Sequence, residues 1–197
     1  MDLIRAIAKE IGREAEIQNL GFDGLISGLQ AGNIDVAISG MSITPEREKN
    51  VLFSEPYYES GLTIVVKGDN KTIKGFNDLS GHIVAVQIGT TGAAEMRKLS
   101  GVTVKEFNTA PDCFMELQTG GAEAVVSDRP VNDYYIQKSG QAGVAALPEK
   151  MTAESYGIAL AKNNAELQKE INTALQELHK NGEYDKIFAK WFGEKEK

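Results

Sequence analysis

Apolar residues along the chain follow spacings that change repeatedly from helical to extended. Over Leu3–Ile11 they recur every three to four positions, which predicts an amphipathic helix that stops at Gly12. The segment Glu14–Gln18 is predicted as a short strand, and a second helix is predicted over Leu25–Leu29, ending at Gly32. Regular exchange of helical and strand patterns is typical of an α/β protein.

The same exchange continues to the C-terminal region. Strands are predicted at Val36–Ile38, Leu62–Val66, Ile83–Val86, Val102–Phe107, Ala124–Ser127 and Tyr156–Leu160. Helices are predicted at Ala93–Leu99, Cys113–Leu117, from Pro130 to about Lys138, Glu166–Leu178 and Tyr184–Phe192. The polar loop Lys67–Lys74 is typical of a crossing between two lobes, and the last predicted strand is expected to cross back. Trp191, on the apolar face of the last helix, is expected to anchor the core rather than to bind a ligand.

Length and composition limit the possible classes of protein. A chain of 197 residues suits one large or two small domains, and 42% hydrophobic residues can fill a core. The net charge of −7 argues against nucleic acid or an anionic membrane as a partner. The single cysteine, Cys113, excludes an intramolecular disulfide, and its apolar helical surroundings favour core packing over a reactive thiol.

The ends of the chain carry an expectation about location. No run of apolar residues reaches membrane-spanning length, and Met1 leads directly into a charged helix without a recognisable signal peptide. These features predict that a leader was removed or replaced, or that the protein stays in the cytoplasm.

Two segments of the chain resemble each other at an offset of 88 residues. Leu29–Ser39 and Leu117–Ser127 share a Leu-Gln-x-Gly sequence followed by an acidic residue and a β-prone run. Two related α/β lobes would explain the repeat, and chance similarity of helix–strand units is the alternative. The counterpart of the strand Ile83–Val86 would precede residue 1. The first lobe is therefore expected to lack its first parallel strand, and another copy, a rearranged segment or a strand outside this sequence is expected to fill the gap.

The stretch Asp35–Arg47 concentrates the candidate chemistry. A strand pattern ends in a small polar cluster that includes Ser39 and Gly40, and Pro45 then begins a predicted helical turn that contains Arg47. Ligands of open α/β sheets bind beyond the carboxyl ends of the strands, and an Arg fork matches a carboxylate through two hydrogen bonds. The alternative is a solvated loop with a surface arginine.

Several motifs together resemble one protein family. The stretch GFDGLISGLQAGNIDVAISGMSITPEREKNVLFSEPYYESG, followed by AVQIGTTG, AEAVVSDRP and SYGIAL, is similar to the amino-acid-binding solute-binding proteins of bacterial ABC importers, family 3, of the glutamine- and arginine-binding kind. The resemblance runs from Asp2 to the KWFG near the C terminus. It implies an α/β, two-lobed, type II periplasmic-binding-protein fold. In this fold each lobe has a mixed or parallel sheet flanked by helices, two hinge strands join the lobes, and the ligand lies in the cleft.

The lobes implied by the resemblance are 1–66 with 159–197, and 67–158. The chain departs from the family pattern at its start, where members carry a secretory leader, a first strand and a loop of ligand-contacting acidic and aromatic residues. The family implies a periplasmic or cell-surface location, whereas a naturally short start would leave the protein in the cytoplasm.

The resemblance also implies how a ligand carboxylate is held. Arg47 is implied to clamp the α-carboxylate, with help from Ser42 and from the backbone around Gly40 and Met41. Thr90 and Thr91 match the place where a helix N-terminus of the second lobe meets the same carboxylate. A plain helix cap is the alternative for the two threonines.

The remaining implied contacts concern the ammonium group and the ligand side chain. Asp128 is implied to bind the α-ammonium, with an ordinary turn or cap residue as the alternative. Phe22 is implied to cover the ligand side chain, and without the resemblance it is interpreted as a staple onto the helix Leu25–Leu29. Ser39 and Gln87 lie where the side chain is recognised, and their polarity favours a polar or basic amino acid, with arginine or glutamine as the leading ligands.

Three functions follow from this sequence. The first is non-catalytic binding of an amino acid for delivery to the permease of an ABC importer, with no cofactor and no metal. The second is an enzyme resembling the cyclohexadienyl dehydratases of the same fold, which need a general acid in the cleft. His82 and His179 lie outside the motif loops and are expected at the surface. The third is a truncated form that binds ligand poorly and forms homo-oligomers by segment exchange.

Overall fold

The computed structural model describes residues 1–138 and 143–192. Its helices are α1 Asp2–Glu10, α2 Leu25–Gln30, α3 Pro45–Glu48, α4 Thr91–Lys98, α5 Ala110–Thr119, α6 Arg129–Lys138, α7 Ala165–Lys180 and α8 Glu183–Phe192. Its strands are β1 Val36–Ala37, β2 Val51–Phe53, β3 Tyr58–Lys67, β4 Ile83–Gln87, β5 Thr103–Phe107, β6 Ala124–Asp128, β7 Val144–Ala146, β8 Met151–Tyr156 and β9 Ala159–Ala161. Short 3₁₀ turns lie at Phe22–Gly24 and Phe76–Leu79.

The chain divides into two compact units. The first unit contains Met1–Leu20, Gly24–Tyr58 and the chain from Ser155 onward, and the second contains Gly21–Asp23 and Glu59–Glu154. The chain thus changes unit inside β3 and again inside β8. The predicted lobe bounds, 1–66 with 159–197 and 67–158, stay a prediction, and their parts at 139–142 and 193–197 lie outside the described residues.

A mixed sheet forms the centre of the second unit. Its strand order is β5-β4-β6-β3-β7, and β8 pairs with β3. The strands β5 and β6 run parallel to β4, whereas β3 runs antiparallel to β6 and β7. The inner strands β3, β4 and β6 are mostly buried and apolar, as is usual for strands covered on both faces, whereas the edge strand β5 is partly exposed and polar. The predicted α/β class with helices flanking mixed sheets is confirmed.

Alternate residues of these strands enter two separate clusters of buried side chains. Val84 and Val86 of β4 pack with α4 residues Ala93 and Met96 on one face. Ala85, between the two valines, faces a second cluster that includes Leu117 of α5. The strand period of two therefore places α4 and α5 on opposite faces of one sheet.

Cys113 lies inside the second of these clusters, as the helical pattern predicted. Only 1% of the residue is exposed, and its thiol lies 3.5 Å from the carbonyl of Thr109. Burial raises the pKa of the Cys113 thiol to about 12, with a smaller contribution from the negative charge of Asp112. The core-packing interpretation is confirmed.

The first unit contains a smaller sheet against which helices pack. Here β9 lies between β1 and β2 and runs antiparallel to both. The apolar face of α1 packs with that of α7 and with β9, which accounts for the strong helical periodicity at both ends of the chain. The buried residues of this cluster are Leu3, Ile4, Ile7, Ile158, Leu160, Leu167, Ile171, Ala174, Leu175, Leu178 and Tyr184.

The predicted strand at Glu14–Gln18 is not formed. Most of this segment is exposed, and among the described strands β1 pairs with β9 alone. A strand needs a hydrogen-bonded neighbour, and the described part of the chain offers this segment none.

The predicted strand Tyr156–Leu160 is divided into two strands, because β8 ends at Tyr156 and β9 begins at Ala159. Association of copies through the first unit stays a prediction.

Trp191 is not the buried core anchor that the pattern indicated. It is 40% exposed, and its indole N–H donates to the Asp2 carboxylate over 3.1 Å. Lys190 binds the same carboxylate at 2.6 Å. The two contacts hold the ring at the rim of an apolar cavity of about 360 Å³, which Leu3 and Phe188 also line. Polar contacts at the start of α1 therefore decide the position of this ring.

The helix that precedes β1 ends in a Schellman motif. The N–H of Gly32 donates to the carbonyl of Leu29 over 3.2 Å, and the N–H of Asn33 donates to that of Gly28 over 2.9 Å. Gly32 has φ +73°, in the left-handed region that this motif requires.

The helix that precedes β6 ends in the same way, 88 residues later. The N–H of Gly120 donates to Leu117 over 3.2 Å, and that of Gly121 donates to Glu116 over 2.9 Å. Gly120 has φ +87°. The shared Leu-Gln-x-Gly sequence therefore corresponds to one backbone motif formed twice.

Replacement of Gly32 by Ala tests whether the left-handed conformation at this helix end requires glycine. We expect Gly32→Ala to lower the free energy of unfolding by about 1–2 kcal/mol, because its φ of +73° strains a side chain although no atom crowds the added Cβ. Gly24, which also has open space around it but a φ of −84°, is the matched control. We expect Gly24→Ala to change stability by less than about 0.5 kcal/mol, since reduced unfolded-state entropy offsets the helix-start preference for Gly over Ala. Equal urea midpoints for the two variants would contradict the assignment.

The burial of Cys113 gives a prediction about its chemistry. Because a thiol with a pKa of about 12 stays protonated, we expect no reaction with Ellman's reagent in the folded protein at pH 8. One thiol per chain is expected to react after unfolding in urea. Rapid labelling of the folded protein would show that the thiol is accessible and ionised.

Candidate functional site

The loop after β1 forms the first group of candidate residues. Ser39 is exposed, and Gly40 follows it with φ +63°. The N–H of Gly40 donates to the Tyr57 hydroxyl over 3.2 Å. Met41 is only 1% exposed as a whole residue and belongs to the core, and its carbonyl accepts the N–H of Gly157 over 3.1 Å, so a ligand contact from Met41 stays a prediction.

A short helix holds Arg47 in place beside this loop. The Thr44 hydroxyl accepts the backbone N–H of Arg47 over 3.2 Å, and Pro45 occupies the first helical position, as is common at helix starts. The Arg47 guanidinium donates to the carbonyl of Ser42 over 2.8 Å, and the side chain is half-buried. Ser42 is 2% exposed and forms a bridge to Tyr156. The arginine is therefore held by its own loop and is only partly exposed.

The start of α4 forms the second group. The Thr90 hydroxyl accepts the N–H of Ala93 over 3.2 Å and donates to the carbonyl of Gln87 over 2.7 Å. The Thr91 hydroxyl donates to the Glu154 carboxylate over 2.9 Å. Since a hydroxyl has one proton, both threonines donate theirs within the second unit. Thr90 is thus the N-cap of α4, and an anion at this helix end would meet backbone N–H groups.

The strand ends next to α4 carry two further candidates. Gln87 ends β4, and its side-chain amide donates to the carbonyl of Asn108 over 3.0 Å. Asp128 ends β6, the parallel neighbour of β4, and α6 begins at the next residue. The second unit therefore brings Gln87, Thr90, Thr91 and Asp128 to the carboxyl edge of one sheet. Phe22 is half-buried in the Gly21–Asp23 segment, which groups with this unit.

Sequence reasoning missed two residues beside these groups. Tyr57 binds the Gly40 N–H, and the buried carboxylate of Glu154 binds Thr91. Tyr57 lies inside the first motif of the family resemblance, and Glu154 directly precedes the motif SYGIAL. This proximity to the motifs is the only signal in the sequence that points to the two residues. His82 is half-buried and binds Glu123 at 2.9 Å, while His179 is exposed.

Clusters of metal ligands and membrane-spanning helices are both absent from the part of the chain that the structure describes. No group of three or more His, Cys, Asp or Glu side chains in 1–138 and 143–192 could hold a metal ion. Within the same residues, none of the helices combines the length and apolar character needed to cross a membrane.

Comparison with known proteins gives a consistent family match. Residues 1–194 match the family model described as bacterial extracellular solute-binding proteins, family 3. The chain is 35% identical over 198 residues to the putative ABC transporter arginine-binding protein 2 of Escherichia coli (strain K12), a match that covers 98% of this chain and 80% of that protein.

Solved structures of the type II periplasmic-binding-protein fold are also similar to the chain. An ancestral arginine-binding protein bound to glutamine has a TM-score of 0.94 and 48% identity, covering 98% of this chain and 86% of the other. The same kind of protein bound to arginine has a TM-score of 0.94 and 47% identity, with the same coverage. The two-lobed fold class is thereby confirmed.

The Thr90 cap can be tested separately from any ligand. We expect Thr90→Val to lower the free energy of unfolding by about 1 kcal/mol, because the N–H of Ala93 loses its acceptor. Thr90→Ser keeps the hydroxyl and is expected to stay within about 0.5 kcal/mol of the parent chain. Urea unfolding followed by circular dichroism measures both. A stability loss of the same size in the serine variant would show that the methyl group, and not the cap, is responsible.

Proposed function

Because the chain belongs to the bacterial extracellular solute-binding proteins, family 3, we propose that it binds a polar or basic L-amino acid and delivers it to the permease of an ABC importer. Arginine and glutamine are the favoured ligands. Support comes from the name of the Escherichia coli relative and from the ligands of the two ancestral structures. The proposal places the protein outside the cytoplasm, as the family description has it.

The observation that carries the proposal is the ordered guanidinium of Arg47. Its bond to the Ser42 carbonyl holds it beside the loop that follows β1. A planar guanidinium binds a carboxylate through two charge-assisted hydrogen bonds, each roughly twice as strong as a neutral one. In the proposal Arg47 binds the α-carboxylate of the ligand, and the backbone around Gly40 assists it.

The second unit is proposed to bind the rest of the amino acid. Asp128, at the carboxyl end of β6, supplies a negative charge for the α-ammonium. The backbone N–H groups at the start of α4 are proposed to reach the carboxylate, because the protons of Thr90 and Thr91 are already donated. Phe22, Ser39 and Gln87 are proposed to contact the ligand side chain.

The proposal also assigns no catalytic role to this chain. Members of its family are solute-binding proteins. A dehydratase activity would appear as turnover of a prephenate-like acid, whereas a binding protein leaves such a substrate unchanged in the same assay.

Removal of the guanidinium tests the proposal directly. We expect Arg47→Ala to weaken binding of arginine or glutamine at least about 100-fold, because the ligand carboxylate loses a charge-assisted fork. We expect Arg47→Lys to recover only part of the affinity, since an ammonium cannot form the paired contact. Isothermal titration calorimetry with arginine, glutamine, histidine and cystine measures both variants and identifies the preferred ligand.

Arg97→Ala is the matched control for this test. Arg97 lies in the second unit and pairs with Glu106 at the surface, so its loss is expected to change affinity less than twofold. Nearly unchanged affinity in Arg47→Ala would refute the carboxylate assignment. Failure of the parent chain to bind any of the four amino acids would refute the proposed function itself.

A further inference from the structure

A buried amide side chain lies next to the turn between β6 and α6. Asn132 belongs to α6 in the second unit, and 0% of the residue is exposed. Its Nδ2 donates to the Thr63 hydroxyl over 2.8 Å and to the Ser127 carbonyl over 3.0 Å, with the Thr63 carbonyl at 3.4 Å. Thr63 lies on β3 and is equally buried. One amide group thus connects α6 with two strands of the sheet.

The acceptors of this amide lie at the end of the pairing between β3 and β6. Thr63 and Ser127 are directly opposite each other, one pair before the ladder ends at Asp128. Asp128 is also the last residue of β6, and α6 begins at the next residue without an intervening loop. The position of Asp128 therefore depends on the direction in which the chain leaves the strand. The bond from Asn132 to the Ser127 carbonyl constrains that direction one residue earlier.

Only one end of the Asn132 amide forms hydrogen bonds. Its Oδ1 is buried and accepts no hydrogen bond from the part of the chain that the structure describes. Burying a carbonyl oxygen without a donor costs free energy, a cost that a leucine of similar size would not carry. The favourable contribution of this side chain therefore comes from its N–H groups, whose contacts join α6 to the end of β6.

We infer that Asn132 is a positioning residue for the ammonium end of the ligand and acts through Asp128. The inference rests on the proposed function, in which the Asp128 carboxylate binds the α-ammonium group. Asn132 holds the Ser127 carbonyl and leaves the ligand contact to Asp128. A charge-assisted hydrogen bond weakens steeply when its distance and angle depart from the optimum. A small displacement at the end of β6 therefore weakens the ammonium contact more than the contacts made elsewhere on the ligand.

The test compares an amino acid with the analogue that lacks only its α-amino group. The amino acid is the one that the parent chain binds most tightly, paired with desaminoarginine if it is arginine or with glutaramic acid if it is glutamine. We expect Asn132→Leu to weaken binding of the amino acid about tenfold and binding of the analogue less than twofold, because only the amino acid has an ammonium group. Ligand-dependent shifts of the unfolding temperature measure affinities into the millimolar range and show that each variant is folded.

Thr63→Val is the matched control, because it removes the other acceptor of the same amide and leaves the Ser127 contact in place. We expect this variant to unfold at a lower temperature and to keep the ratio of the two affinities within twofold of the parent value. Asn132→Ala removes the amide without adding bulk and is the second variant should Asn132→Leu not fold. The same selective loss is expected of it.

The possible outcomes separate the inference from the proposed function. Equal weakening of the amino acid and its analogue would show a purely structural role for Asn132 and overturn the inference. Unchanged affinity for both ligands, or an equally selective loss in Thr63→Val, would overturn it too. If neither Asn132 variant folds, the residue is structural and the inference is wrong. Failure of the parent chain to bind arginine, glutamine, histidine or cystine refutes the proposed function instead.

Discussion

The double pairing of β4 is the constraint on which the second unit depends. Because β5 and β6 both run parallel to β4, their carboxyl ends meet at one edge of the sheet. That edge carries Gln87 and the start of α4 from one segment of the chain, and Asp128 from another segment at the end of β6. Parallel strands thus gather polar groups that are far apart in sequence, which is how open α/β sheets place their ligand sites.

The number of hydroxyl protons then limits which of these groups can donate a hydrogen bond to a ligand. The hydroxyls of Thr90 and Thr91 each have one proton, and both protons are already donated. A carboxylate arriving at α4 would therefore depend on backbone N–H groups. This shortage makes the guanidinium of Arg47, fixed by the Ser42 carbonyl, the stronger anion partner in the proposed site.

The sequence pattern correctly predicted those features of the fold that depend on residues close to one another in the chain. The apolar face of α1, the burial of Cys113 and the Schellman glycines at Gly32 and Gly120 all follow from residues close in sequence. The errors came where a distant partner decides the outcome. The extended pattern at Glu14–Gln18 needs a neighbouring strand, and Trp191 is held at the surface by Asp2 at the other end of the chain. Glu154 escaped notice for the same reason, since its partner Thr91 lies 63 residues away.

The offset of 88 residues between Leu29–Ser39 and Leu117–Ser127 allows the two halves of the chain to be compared position by position. They share the helix end and the following strand, but Arg47 corresponds to Tyr135, whose ring stacks on Phe114 at 3.7 Å. Asp128 corresponds in turn to Gly40, which has no side chain at all. The positive group of the proposed site therefore has no counterpart in the second half, and the negative group has none in the first. In the function proposed above, the opposite charges that the two halves carry at non-equivalent positions correspond to the two opposite charges of a zwitterion.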